Sequence, residues 1–126
     1  VLVTLSAPAR RSLVAGLIRP PGSVPDAPIL DADAPDAQIA DFLAAIAHAD
    51  TGFVARTDSG ERALAIVAAT VAALCGEDIR TALTRPDIAF LTGLKAPAVE
   101  AVRGVLHAVE TAEPERVGAA LSVLAP

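Results

Sequence analysis

The sequence predicts an all-α protein, a compact irregular bundle of about five main helices with one long Pro- and Asp-rich loop. Three observations lead there. Ala supplies 29 of the 126 residues, against 3 Phe and no Trp, Tyr or Met. Ala is the strongest helix former, and its small side chain lets helix axes approach closely. Ala63 to Gly76 then runs for 14 residues without a charge, between a helix-opening signal and a glycine. Elsewhere, apolar residues recur three and four apart behind Pro, Ser or Asp, the spacing of one helix face.

Taken in order, Val1 to Leu5 is β-branched and reads as extended, with no evident partner strand. Ser6-Ala7-Pro8 opens a first helix with Leu13, Val14, Leu17 and Ile18 as its apolar stripe, and Pro20-Pro21-Gly22 ends it. Residues 1–19 are thus an N-terminal segment and helix. Residues 20–34 are the long loop, and the stretch 20–37 holds five of the ten prolines and four Asp. A connection of this length is a lid, a wrapped segment or a linker, with Ile29 and Leu30 pinning its middle to the core.

Residues 35–126 form the expected helical core of a single domain. Pro35 starts a helix whose Ile39, Phe42, Leu43 and Ile46 share a face, with Asp41 and His48 on the far side. Phe53-Val54-Ala55 reads as a short extended link. Asp58-Ser59-Gly60-Glu61 matches a capping box in which Asp58 accepts from the first turn. The helix behind it carries Leu64, Val67, Val71 and Leu74 on one face, with Ala68 and Cys75 beside them and Ile66 nearly opposite, the mark of a central helix packed on two sides. Gly76 stops it. At 14 uncharged residues it is short of the ~20 that a membrane span needs. A short helix over Glu77 to Leu83 follows, then one opened by Thr84-Arg85-Pro86-Asp87 and closed by Gly93. Pro97 opens a longer helix with Val99, Val102, Leu106 and Val109 as its stripe, and Pro114 opens the last, with Val117, Ala120, Leu121 and Leu124 inward.

The formal charge is −5, shared evenly along the chain, with one Lys and no basic stripe. Nucleic acid is therefore a poor partner. The single Cys75 cannot form an internal disulfide, and VLVTL is too short for the apolar core of a secretory signal, so a cytoplasmic location is expected.

The candidate chemistry is sparse. Asp31, Asp33 and Asp36 have the spacing of part of a calcium loop, but Asp36 and Phe42 stand where an EF-hand places its Gly and its final carboxylate. Helix and turn capping accounts for them better. His48 reads as a surface residue. Arg103, His107 and Glu110 read as a solvated edge of a helix, and Cys75 as a buried inert thiol. Cys75-Gly76-Glu77-Asp78-Ile79 is not the turn of a helix-turn-helix, because only Arg80 and Arg85 follow to meet phosphates. No catalytic, cofactor-binding or metal-ligating residue is assigned, and no cofactor is implied.

Ala40-Asp41-Phe42-Leu43-Ala44-Ala45-Ile46, Thr57-Asp58-Ser59-Gly60-Glu61-Arg62-Ala63-Leu64 and Cys75-Gly76-Glu77-Asp78-Ile79 together resemble the closing segment of glucose–fructose oxidoreductase-type dehydrogenases. The resemblance implies a helix, a loop reaching an acidic-glycine turn, and an alanine-rich helix. It brings neither the dinucleotide glycine fingerprint nor any catalytic residue.

The leading expectation for function is a non-catalytic protein-interaction or self-association domain, since apolar content spills beyond one helix face. The alternatives are a small-molecule-binding helical domain with residues 20–34 as its lid, and the C-terminal fragment of a larger dehydrogenase-like enzyme. No nucleic-acid or membrane partner is expected.

Overall fold

A computed structural model describes residues 12–125. Its elements run β1 (Ile18–Arg19), β2 (Ile29–Asp31), α1 (Asp36–Ile46), β3 (Phe53–Arg56), α2 (Gly60–Cys75), α3 (Ile79–Thr84), α4 (Ile88–Thr92), α5 (Ala96–Val105), β4 (Leu106–Glu110) and α6 (Pro114–Leu121), with a closing 3-10 turn over Ser122–Leu124. The described chain is mixed α/β and not an all-α bundle. Its strands form one parallel sheet in the order β1-β4-β3-β2.

The sheet corrects three expectations. The proposed first helix lies partly outside the described residues; its described part, with Leu13, Val14 and Leu17, forms turns that lead into β1 at Ile18. The 20–34 loop contains an edge strand, in which Leu30 is buried and Ile29 is exposed. The helix behind Pro97 ends at Val105, and Leu106 and Val109 belong to a central strand. Leu106 and Val109 are three apart, which suits a helix stripe equally well. A buried parallel strand reads as a short continuous apolar run, and such runs do not separate helix from strand by period alone.

Side chains alternate across the sheet. One face carries Leu30, Phe53, Ala55, Leu106 and Val109, all in a single core cluster with buried residues of the helices. Phe53 is fully buried, and the Phe42 ring of α1 meets it edge-on at 5.3 Å between centroids, a favourable aromatic geometry. The other face carries Val54, Ala108 and a row of charges. β4 holds one residue more than β3 between the pairs Phe53–Leu106 and Val54–Ala108. The extra residue is His107, exposed at this bulge.

α2 is the helical centre, as its uncharged run predicts. Ala63 and every residue from Ala65 to Ala72 are buried, and α1, α3, α5, α6 and β4 all touch it. Ile66, on the second face, is fully covered by the chain itself. Its start differs in detail from expectation: Ser59, not Asp58, caps the helix by accepting from the Arg62 amide at 3.2 Å. Gly76 ends it with a left-handed φ of 73°. Cys75 is exposed, not buried. The boundaries of α1, α3, α4 and α6 follow their capping signals, with Asp78 and Asp87 accepting from the first turns of α3 and α4.

Gly60 sets how close α2 and α6 approach. A Cβ there would lie 2.5 Å from the Ala120 Cβ and 3.2 Å from the Arg116 carbonyl oxygen. Gly60→Ala is therefore expected to destabilise the fold by about 1–3 kcal/mol through overpacking. Gly104→Ala, in α5 with nothing within 4 Å, should stabilise it by about 0.4–1 kcal/mol. Urea unfolding midpoints of the two variants against wild type measure both, and the opposite signs separate packing from propensity.

Candidate functional site

In open parallel sheets, ligands bind outside the carboxyl ends of the strands, where neighbouring strands send their chains to opposite faces. Here β1 and β4 are those neighbours. β4 leads into α6, which packs on α2 and β1 at the core face. β1 leads into residues 20–28, which are held to a side chain on the opposite face: the Gly22 and Val24 amides donate to Oε1 and Oε2 of Glu110 at 3.1 and 3.2 Å.

Glu110 is fully buried. It stands in a row across all four strands, Arg19–Glu110–Arg56–Asp31, in which the charges alternate. Arg56 donates to Oε1 at 2.7 Å. Burial alone would raise this carboxyl. The hydrogen bonds from Arg56, Gly22 and Val24, with the Arg56 charge, outweigh it and hold the group below its ordinary 4.5. The expected solvated edge of Arg103, His107 and Glu110 does not form. Arg103 donates to the Ser12 and Ala15 carbonyls at 2.8 and 2.9 Å, His107 lies exposed against Gly52, and Glu110 is on the strand. A helical period placed the three together; the strand separates them.

Beyond this row lies an open crevice of about 470 Å³, walled by Pro21, Asp31, Asp33, Arg56, Asp58 and Thr111 among others. Three loops build it, and each is tied to the next. Thr57 donates to Asp33 Oδ1 at 2.8 Å and accepts the Ser59 amide at 3.0 Å. Thr111 donates to Asp58 Oδ1 at 2.8 Å and accepts the Glu113 amide at 2.9 Å. The Ala112 amide also donates to Asp58 at 2.8 Å. Arg62, in the first turn of α2, holds the Asp33 loop a second time through the Ala32 and Ala34 carbonyls and the Asp36 carboxylate.

These contacts decide what the crevice can do. Both threonine hydroxyls are buried and already donate to carboxylates, so neither is a ready nucleophile. The Asp58 carboxyl is held below its ordinary 3.8 by the hydrogen bond from Thr111 and then that from Ala112, so near neutrality it accepts hydrogen bonds and does not act as an acid. Asp31, Asp33 and Asp36 turn to separate partners: Asp31 takes the Asp33 amide, Asp33 takes Thr57 and Asp36 pairs with Arg62. Among the described residues no three His, Cys, Asp or Glu side chains gather as a metal site, and no helix is long and apolar enough to cross a membrane. His48 is exposed at the end of α1, and neither it nor Cys75 lines the crevice. Sequence reasoning missed the site because it read Glu110 as part of a solvated helix edge and gave Arg56 and Thr111 no role. The available signal was the repeated charge–Thr pair, Arg56-Thr57 and Glu110-Thr111, each followed by a helix start.

Asp58, Asp78 and Glu110 all titrate below their ordinary values in the fold. Their contribution to stability is therefore complete above those values, 3.8 for the aspartates and 4.5 for the glutamate, and is lost as pH falls through the lower folded values. The urea midpoint should drop steeply below about pH 4, and Asp58→Asn should flatten part of that slope while leaving the slope from Glu110. Compared with known protein families, with curated proteins and with solved structures, the chain shows no match.

Proposed function

We propose that this chain is a small-molecule-binding α/β domain whose ligand sits in the crevice at the carboxyl ends of the strands. The supporting observation is the coincidence of that topological position with three loops locked together by Thr–Asp hydrogen bonds. The locking holds side-chain acceptors in place before a ligand arrives, which lowers the ordering cost of binding. Asp31, Asp33 and Asp58 outnumber Arg56, whose guanidinium is engaged by Glu110. The walls therefore suit a neutral or cationic ligand rich in hydroxyl or amine donors, and disfavour phosphates. The same wall chemistry favours binding over catalysis. A cytoplasmic setting agrees with the exposed thiol of Cys75.

A thermal-shift screen on the whole chain tests this, using neutral sugars and polyols, primary amines, and nucleotides at equal concentration. Binding raises Tm by mass action. Sugars or amines should raise it, nucleotides should not, and Asp33→Ala should abolish the rise. No shift with either donor class, or a shift that survives Asp33→Ala, overturns the reading.

Protein contact is a second reading, favoured by one observation. Phe90 of α4 is 45 % exposed beside a groove of about 270 Å³ between α2, α3 and α4, floored by Ala68, Ala72 and Leu91. The burial of both faces of α2 removes the earlier ground for self-association and leaves the exposed Phe90, with Ile29 and Val123, to support it. Sedimentation at micromolar concentration should show an oligomer that Phe90→Asp dissociates; a monomer in both removes this reading.

A further inference from the structure

We infer that residues 20–28 form a lid at the crevice that opens as a separate unit, with the Glu110 carboxylate as its latch. The inference rests on the crevice being the ligand site, and concerns how access to it is controlled.

Residues 20–28 contain no buried side chain, and none belongs to the core cluster. Pro20, Pro21, Pro25 and Pro28 lack amide hydrogens, so four of the nine residues cannot donate to a ladder. The bond from the Ser23 amide to the Pro20 carbonyl lies within the segment and ties it to no other part of the fold. The Pro28 carbonyl accepts the Val54 amide at 2.8 Å and fixes the far end at β2. Between these ends, the bonds from the Gly22 and Val24 amides to Glu110 hold the middle.

Segments with few buried apolar contacts open locally at free energies well below that of global unfolding. Hydrogen bonds to an ionised acceptor are roughly twice as strong as neutral ones. The charge on Glu110 therefore sets how often the lid lifts. When it lifts, Glu110 keeps its bond to Arg56 and is not left as an unpaired buried charge. Pro21, inside the segment, and Ile29, at its end, both line the crevice, so movement of the segment alters the opening.

Amide hydrogen exchange on the full ligand-free chain tests the latch. In Glu110→Gln, the Gly22 and Val24 amides should exchange about 10-fold faster or more, with α2 amides unchanged. In Arg56→Gln, which keeps the carboxylate, they should stay protected. For wild type, exchange at Gly22 and Val24 should be insensitive to low urea, whereas α2 amides should follow the steep dependence of global unfolding; this measurement stands even if Glu110→Gln does not fold. Unchanged protection in a folded Glu110→Gln, or a shared urea dependence in wild type, overturns the lid. Local opening combined with no ligand in the thermal screen would instead refute the crevice as a site.

Discussion

A carboxylate removed from water must be matched by donors, and the structure is arranged around one such case. Glu110 is fully buried near the end of the central strand β4. Its two oxygens receive a guanidinium from the neighbouring strand and two amides from the chain that leaves β1. An unmatched carboxylate there would cost several kcal/mol, of order the net stability of a small protein, about 5–15 kcal/mol. Meeting that demand fixes the path of residues 20–24, the rotamer of Arg56 and the relation of β1 to β4. A polar requirement thus shapes one face of the sheet, while ordinary apolar packing shapes the other.

On the apolar face the limiting factor is space. α2 is surrounded because its Ala side chains let neighbours come close, and Gly60 meets Ala120 with no room left for a Cβ. That contact also has a consequence for the crevice. The first turn of α2 carries Arg62, which holds the β2–α1 loop, and it follows directly on Thr57 and Asp58. The depth at which α2 packs therefore determines where the carboxylates of the crevice stand. Core packing and site geometry are set by the same few residues.

Most helices were legible in the sequence because their ends are chemically marked. Pro35, Asp78, Asp87, Pro114 and Gly76 each sit where a cap or a terminator is required. The sheet was not legible. Its strands are two to five residues long, too short for a period of two to stand out from one of 3.6. Ile29-Leu30-Asp31 lies among prolines, and Leu106 to Glu110 continues the stripe of the preceding helix without a break in composition. The site was hidden for the same reason. Arg56 and Glu110 are 54 positions apart, and only strand pairing makes them neighbours. Asp58 reads in the sequence as the cap of α2, but Ser59 takes that place, and Asp58 accepts from another loop, at Thr111 and Ala112.

The single additional residue in β4 governs the phase of that strand. Counting back from Glu110, strict alternation would turn Leu106 toward the charged face; the irregularity at His107 turns it to the helices while leaving Glu110 where its donors are. Pairing all five residues of β4 in strict alternation, without the bulge, would force a choice between stranding a leucine among ions and driving an acid into the hydrocarbon interior. By leaving His107 out of the ladder, the bulge absorbs the extra position, so each remaining residue of the strand meets the environment its chemistry needs.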